Sequence, residues 1–272
     1  MNVEILKSSL SDNFFFLIAD DQGRAALIDP VDGEQAVEVV RQRGFELTHL
    51  LNTHFHPDHV AGNPDVMQAF PEALLVAGEG DAKAIDQQFR RGPKVRETVV
   101  GGDVVEVGGL SLEVLDTPGH TPGHISFLHG HHLFSGDTIF VAGAGNCRFG
   151  GDPGVLFATF RDVLRGLPDE MLIYPGHDYS ARNAEFLLSI EPEHSEAQTV
   201  LEEAQEAHEA GRLMQTTLGR EKTYNAFLRY DDPELLRALE QGQPQALAAA
   251  QAESSGPGEA VFRCVRSLRN QW

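Results

Sequence analysis

A cluster of potential metal ligands behind an apolar run constrains this chain more than any other feature. The stretch "ELTHLLNTHFHPDHVAG" places four such side chains within six positions, at His54, His56, Asp58 and His59. Crowding polar groups in a folded protein is costly unless they share a partner. Imidazole and carboxylate groups are ligands of zinc, iron and manganese. The cluster therefore predicts a metal site at the end of a strand, and Pro57 predicts that no helix runs through it.

Further potential ligands follow three other apolar runs. "LEVLDTPGH" ends in His120, "HLFSGD" in Asp137 and "LIYPGH" in His177. Active sites of open α/β sheets lie beyond the ends of strands, so we expect these turns to converge on the cluster. His124 is expected to pack against the site or to support it. Asp29, at the end of another strand, either orients a ligand histidine or forms a turn before proline.

The pattern along the chain predicts two domains of different composition. The first part alternates short apolar strands with turns, including a hairpin at "DQG" and a helix at "GEQAVEVVRQRG". This texture is typical of a layered α/β domain, which we assign to residues 1–185. "SEAQTVLEEAQEAHEAGRL", "DPELLRALEQG" (capped by Asp232) and "AVFRCVRSLRNQW" predict helices. They define a smaller helical domain, residues 186–272.

Composition narrows the classes of function. The 272 residues carry a formal charge of −20, the wrong sign for binding phosphate backbones. No apolar run approaches the roughly 18 residues of a transmembrane helix, and no signal-peptide pattern is present. We therefore expect a soluble, cytoplasmic protein, as a monomer or small homo-oligomer, with no nucleic-acid or membrane partner. Cys147 and Cys264 are expected to be free thiols without a catalytic role.

Four motifs in this order resemble the metallo-β-lactamase superfamily: "THFHPDH", "TPGHTPGH", "SGDT" and "YPGHDY". The segments "SDNFFFLIAD", "TTLGREKTYNAFLR" and "VFRCVRSLRNQW" are similar to the glyoxalase II group of that superfamily, the hydroxyacylglutathione hydrolases. The resemblance implies an α/β fold, an αββα sandwich, with a helical C-terminal domain that helps to bind glutathione. It covers nearly the whole chain.

The resemblance also implies two divalent metal ions and assigns their ligands by motif position. One metal would be held by His54, His56 and His120. The other would be held by Asp58, His59 and His177, with Asp137 as the bridge. Zinc is the first choice of metal, and iron and manganese stay open. Asp58 and Asp137 are also the candidate catalytic residues.

Candidate substrate-binding residues follow from the same resemblance. Tyr179 matches a family tyrosine that contacts glutathione. Arg266 and Arg269 match two basic positions in the last helix, where a spacing of three places them on one face. In the loop "GAGNCRFGG", Asn146 and Arg148 stand where the family has a basic and an aromatic residue, so contacts there depart from the family pattern.

The resemblance implies that the activity is hydrolysis of a small-molecule glutathione thioester, such as S-lactoylglutathione, to glutathione and a hydroxy acid. A metal-bound hydroxide would attack the carbonyl, and the leaving thiol has a pKa of about 8.5, so no strong general acid is needed. The alternative is an iron-dependent persulfide dioxygenase acting on glutathione persulfide. A non-enzymatic glutathione or metal sensor and a lactam or phosphodiester hydrolase are weaker alternatives.

Overall fold

The computed structural model describes residues 1–10 and 12–272, which form two compact units. Unit 1 comprises Met1–Thr117, Thr121–Gly136 and Tyr174–Asp178. Unit 2 comprises Pro118–His120, Asp137–Ile173 and Tyr179–Trp272. Each unit thus draws on separated parts of the chain, and the predicted domain boundary at residue 185 stays a prediction.

The described residues form thirteen strands and eleven α-helices. The strands are β1 (Asn2–Lys7), β2 (Phe14–Ala19), β3 (Arg24–Ile28), β4 (Glu46–Asn52), β5 (Leu74–Gly78), β6 (Glu97–Val99), β7 (Val104–Val107), β8 (Leu110–Asp116), β9 (Ile125–His129), β10 (His132–Gly136), β11 (Ile139–Phe140), β12 (Gly143–Ala144) and β13 (Leu172–Pro175). The helices are α1 (Gly33–Arg43), α2 (Pro57–Val60), α3 (Asn63–Ala69), α4 (Glu79–Gln88), α5 (Pro153–Asp162), α6 (Ser180–Ile190), α7 (Ser195–Glu209), α8 (Leu218–Tyr224), α9 (Pro233–Gly242), α10 (Pro244–Ala252) and α11 (Pro257–Gln271).

Two larger sheets carry the fold. One has the strand order β1-β2-β3-β4-β5-β6, antiparallel from β1 to β3 and parallel from β3 to β6. The other has the order β13-β10-β9-β8-β7 and is antiparallel from β7 to β10. The hairpin predicted at "DQG" is confirmed, because β2 pairs with β3 and places Ala19 opposite Ala25.

Within unit 1 the two sheets pack face to face. The ring of Phe16 on β2 lies 5.4 Å from that of Phe134 on β10 and 5.6 Å from that of Tyr174. All three side chains are buried. Burial of one such side chain stabilises the fold by about 2 kcal/mol. A backbone hydrogen bond of 2.9 Å from Ile125 N to Thr53 O also joins the sheets.

Strands β3 and β4 end at the same edge of their sheet, because they run parallel. The predicted helix after β3 is confirmed as α1, where Asp32 accepts a hydrogen bond from Gln35 N and Gly44 adopts φ 66° at the C-cap. This connection makes β4 parallel to β3, so the segments that follow both strands meet. Asp29 N accordingly donates to Leu51 O at 3.0 Å.

The helices predicted near the C-terminus are confirmed in unit 2. They are α7, α9 and α11, and the Asp232 side chain caps α9 by accepting from Glu234 N at 2.7 Å. An aromatic core holds α5 and α11 together, with the Phe262 ring 5.2 Å from Phe160 and 5.1 Å from Phe227. Mixed sheets followed by a helical C-terminal region match the predicted α/β class. Within residues 1–10 and 12–272, every helix falls short of the length and apolarity that spanning a membrane demands.

Candidate metal centre

The turn after β4 brings two predicted histidine ligands together in unit 1. His54 and His56 are both buried, and their ring centroids are 4.7 Å apart. His54 Nε2 lies 3.1 Å from His56 Nδ1. Two imidazole nitrogens that approach so closely in a buried turn present a pair of donors to one point, which is the arrangement a metal ion needs.

The short helix α2 presents the next two predicted ligands. Pro57 is its first residue, so a helical turn begins here and, as expected, no helix continues through Pro57 from the preceding residues. Proline is compatible with this position because the first helical N–H has no intrahelical partner. Ligand atoms of Asp58, His59 and His177 lie within 4.8 Å of one another. His177 Nε2 is 3.2 Å from Asp58 Oδ2, so this set offers two nitrogens and one carboxylate to one cation.

Asp29 fixes the orientation of this ligand set. Its buried carboxylate accepts hydrogen bonds from Thr53 N at 2.8 Å and from Thr53 Oγ1 at 2.5 Å, and it lies 3.0 Å from His59 Nδ1. An ionised carboxylate only accepts, so His59 Nδ1 donates and the lone pair stays on Nε2. Of the two roles considered for Asp29, the structure supports the orienting one.

In unit 2, two more predicted ligands lie together. His120 Nε2 is 3.5 Å from Asp137 Oδ2, and both side chains are buried. His120 Nδ1 donates to the carbonyl of Asn146 at 2.6 Å. A carbonyl only accepts, so the lone pair of this histidine is on Nε2, the neutral form that binds metals. Five of the seven predicted ligands thus belong to unit 1 and two to unit 2, and the complete seven-ligand set stays a prediction.

The donor set fits a divalent metal in each place where the structure groups it. All the grouped atoms are imidazole nitrogens or carboxylate oxygens, which suit zinc, iron and manganese. The groups are buried or half-buried, and hydrogen bonds define the tautomer of His59 and His120. The His/Asp cluster is therefore a metal-binding centre in its chemistry, whereas the identity of the metal is open.

Arg266 and Arg269, predicted to bind glutathione, differ in exposure. Arg266 is 5% exposed, and it donates to Ala144 O at 2.7 Å and to Gly145 O at 3.1 Å. Burial lowers the pKa of Arg266 to about 10. Arg269 is half-buried, and its Nε donates to Asn183 Oδ1 at 3.1 Å. Burial also lowers the pKa of Arg269. Arg266 thus anchors the loop that follows β12, and both glutathione contacts stay predictions.

The remaining predicted substrate residues also lie in unit 2. Tyr179 precedes α6, with its ring 5.4 Å from that of Phe140. Asn146 Oδ1 accepts from Arg148 N at 3.0 Å, and the Arg148 guanidinium donates to Asn270 O. Burial raises the pKa of the nearby Cys147 thiol to about 11, consistent with a cysteine that takes no part in chemistry.

Comparison with known proteins identifies the family. Residues 11–177 match the sequence pattern of the family described as the metallo-beta-lactamase superfamily. The chain belongs to the metallo-β-lactamase superfamily. A second family, described as the hydroxyacylglutathione hydrolase C-terminus, matches residues 178–272. The resemblance predicted from the motifs is therefore confirmed, and so is the metallo-β-lactamase fold with a helical C-terminal region.

Individual members of the superfamily resemble the chain over most of its length. A protein named hydroxyacylglutathione hydrolase from Polaromonas sp. (strain JS666 / ATCC BAA-500) is 40% identical over 266 residues, covering 96% of this chain and 95% of the relative. The structure of ETHE1 from Myxococcus xanthus is 30% identical, covers 90% of this chain and 93% of its own, and gives a TM-score of 0.65. TTHA1623 in a di-iron-bound form is 27% identical, with coverages of 84% and 100% and a TM-score of 0.60.

One buried carboxyl group that supports the metallo-β-lactamase motifs was not identified from the sequence. Asp81 on α4 accepts hydrogen bonds from Phe55 N at 3.2 Å, Thr121 Oγ1 at 2.6 Å and Gly123 N at 2.8 Å. Burial raises the pKa of Asp81, whereas these donors oppose the rise. The sequence feature that could have identified it is its spacing of four from Ile85, which places Asp81 on the buried face of α4. A buried carboxylate there needs hydrogen-bond donors from other segments.

A second such group, Glu221, lies in the helical region. Its fully buried carboxylate accepts from Ala142 N at 2.9 Å, from Asn225 Nδ2 at 2.8 Å and from the hydroxyl of Tyr224. Burial raises its pKa from the ordinary 4.5 to about 7. The sequence signal was again a carboxylate on a buried helix face, shared with Leu218.

Glu221 should make stability depend on pH. Its pKa is higher in the folded chain, so the folded state binds more protons between pH 4.5 and about 7, and stability falls as pH rises through this window. The groups that donate hydrogen bonds to this carboxylate, Ala142 N, Tyr224 Oη and Asn225 Nδ2, are uncharged. Glu221→Gln does not titrate at this position. We therefore expect its free energy of unfolding, relative to that of the parent chain, to be about 2 kcal/mol higher at pH 8 than at about pH 5. Urea unfolding at both pH values measures this, with Glu240→Gln, at an exposed position of α9, as the control. A constant difference between the two chains would contradict it.

Proposed function

We propose that this chain is a metal-dependent thioesterase that hydrolyses S-acylglutathione, such as S-lactoylglutathione, to glutathione and a hydroxy acid. The observation that carries the proposal is the cluster of half-buried Asp58 with buried His59 and His177, in a chain whose residues 178–272 match a hydroxyacylglutathione hydrolase C-terminus. The name of the Polaromonas relative supports the same substrate class. A small-molecule glutathione thioester is therefore the proposed partner, and the cytoplasmic location and oligomeric state stay predictions.

The proposed centre holds two divalent metals. His54, His56 and His120 would bind one, Asp58, His59 and His177 the other, and Asp137 would bridge them. The donor groups within each unit support this assignment, and the di-iron-bound form of TTHA1623 supports a two-metal centre in a related chain. Zinc stays the first choice, with iron and manganese as alternatives. Bound metals would lower the pKa of a water molecule and polarise the thioester carbonyl.

The residues of the chain itself keep the donors ready for that chemistry. Asp29 accepts the Nδ1 proton of His59, and the carbonyl of Asn146 accepts the Nδ1 proton of His120. The lone pair of Nε2 in each ring is then available to bind a metal. Asn13 Nδ2 donates to the backbone carbonyl of Asp58 at 2.9 Å and so fixes the start of α2. The leaving thiol has a pKa of about 8.5, so the reaction needs no dedicated acid beside these residues.

Thiol release from S-lactoylglutathione by the metal-loaded protein tests the proposal. We expect saturable release of glutathione and no oxygen uptake when glutathione persulfide is supplied. Oxygen consumption with the persulfide, without thiol release from the thioester, would replace the thioesterase with the persulfide dioxygenase alternative. Metal content measured on the same sample identifies the ions that support turnover.

Arg269→Gln should weaken substrate binding without affecting chemistry. A half-buried guanidinium that pairs with a glutathione carboxylate contributes to binding equally before and during reaction, so its loss raises KM by about tenfold and spares kcat. Steady-state kinetics with S-lactoylglutathione measure both constants. Arg237→Gln, an exposed position on α9, removes the same charge and should leave KM unchanged. An unchanged KM in Arg269→Gln would remove this residue from the proposed glutathione site.

A further inference from the structure

The turn between β11 and β12 has an unusual backbone that needs external support. Ala142 has φ 55°, a left-handed conformation in which a non-glycine residue is uncommon. The two-residue turn Val141–Ala142 is buried, so its peptide groups need partners inside the protein. A residue held in such a conformation costs about 1 kcal/mol or more and persists only when its surroundings fix it.

Side chains from the helical region satisfy the polar groups of this turn. Asn183 Nδ2 on α6 donates to Val141 O at 2.9 Å. Ala142 N donates to Glu221 Oε2 at 2.9 Å. Asn225 Nδ2, at the end of α8, donates to Gly143 O at 3.1 Å. Both residues of the turn and the first residue of β12 are thus held by side chains that lie at least forty positions further along the chain.

Glu221 stands out among these side chains because its carboxylate is fully buried. The structure gives it hydrogen-bond donors, and in the part of the chain that it describes no lysine or arginine forms an ion pair with this carboxylate. Burying a carboxylate without a cation is costly. Holding the turn through Ala142 N requires a side chain that accepts a hydrogen bond. An apolar side chain or a lysine has no such acceptor.

The β11–β12 hairpin is linked to both predicted metal ligands of unit 2, to one along the chain and to the other through a hydrogen bond. Asp137 lies two residues before β11, and Asn146, whose carbonyl accepts from His120 Nδ1, lies two residues after β12. At Gly145 the packing is so close that a Cβ atom would lie 1.9 Å from Asp137 O and 2.9 Å from His120 Nδ1. A displacement of the hairpin would therefore move both ligands.

We propose that Glu221 is a positioning residue of the metal centre, which acts through Ala142 N and the β11–β12 hairpin on Asp137 and His120. The helical region then supports the ligands of the metal as well as the predicted glutathione contacts. The activity part of this inference rests on the proposed function. The metal-retention part does not.

Two conservative substitutions separate the reach of the side chain from its charge. Glu221→Gln keeps the length of the side chain, so its amide oxygen still accepts from Ala142 N. Its NH2 group then donates to Tyr224 Oη. The Tyr224 hydroxyl in turn donates to Thr216 Oγ1, which lies 3.0 Å away. Glu221→Asp keeps the charge but is one methylene too short to reach Ala142 N. The positioning role predicts that the Asp variant is impaired and the Gln variant is not.

The experiment measures zinc release from the zinc-loaded full chain to a chromogenic chelator, beside kcat and KM for S-lactoylglutathione. We expect Glu221→Asp to release zinc faster and to lose kcat, each by about tenfold or more, with KM retained and with Glu221→Gln close to the parent chain. Arg229→Gln is the stability control, because Arg229 pairs with Glu191 and Asp232 and has no part in the turn.

Two results would overturn the inference. One is parent-like zinc release and kcat in Glu221→Asp. The other is a loss that Arg229→Gln reproduces at an equal fall in melting temperature, which would mean that Glu221 contributes only stability. If the parent chain proves inactive on the thioester, the proposed function fails, whereas the zinc-release comparison between the Asp and Gln variants still decides the role of Glu221.

Discussion

Replacing either His54 or Asp137 with alanine should reduce turnover of S-lactoylglutathione by at least about 10³-fold, because each variant lacks one of the proposed metal ligands that would support the activation of water. His54 is a donor of the turn after β4, and Asp137 lies 3.5 Å from His120 Nε2 in unit 2. One substitution in each unit therefore tests whether both donor groups serve one reaction. Thiol release under saturating substrate measures the effect, and metal content is determined on the same samples.

The helical C-terminal region should stay folded in both variants, because its core is aromatic and independent of these ligands. Far-ultraviolet circular dichroism and the melting temperature check this point. His208→Ala, an exposed histidine on α7, is the matched control and should keep parent activity. Turnover within tenfold of the parent chain in either ligand variant would contradict the two-metal assignment.

Asp29→Asn should lower turnover by about 10- to 100-fold, the range typical of a residue that orients a metal-binding histidine. The carboxylate of Asp29 holds Thr53 and the Nδ1 of His59 together. Asparagine tolerates the left-handed backbone at this position, where φ is 52°, so the fold should survive. An amide cannot accept all three hydrogen bonds as a carboxylate does, so His59 loses its fixed orientation.

The measurement is kcat together with the rate of zinc release, since a misplaced His59 should weaken metal retention as well as catalysis. Asp32→Ala provides the control for a nearby buried carboxylate. Asp32 caps α1, and its loss should cost about 1 kcal/mol of stability without changing either rate. Equal zinc release from Asp29→Asn and the parent chain would show that Asp29 has no orienting role.

Local patterns carried the predictions that the structure confirms in the fold. The "DQG" turn, helix α1 with its Gly44 cap, and Asp232 at the start of α9 all depend on residues within a few positions of one another. The effect of Pro57 is also local, since proline interrupts the interior of a helix but is favoured at its first position, where α2 begins.

The supporting residues escaped prediction because their partners are distant in sequence. Asp81 accepts hydrogen bonds from Phe55 before it in the chain and from Thr121 and Gly123 after it, and Glu221 accepts one from Ala142. Arg266 looks like an exposed basic residue in the pattern of α11, but it is buried against the carbonyls of Ala144 and Gly145. Periodicity shows that a side chain faces the interior or the solvent, and it carries no information on what lies opposite.

The sequence by itself determined which chemical groups the predicted metal ligands offer and that these residues follow strands. Short-range spacing decides which side chains a turn presents. It also carried the motifs that define the superfamily. Only the tertiary structure decided which histidine nitrogen Asp29 and Asn146 hold, that the helical region supports the β11–β12 turn, and that Arg266 is buried. These outcomes depend on contacts between segments far apart along the chain, where burial changes the free energy of every unpaired polar group.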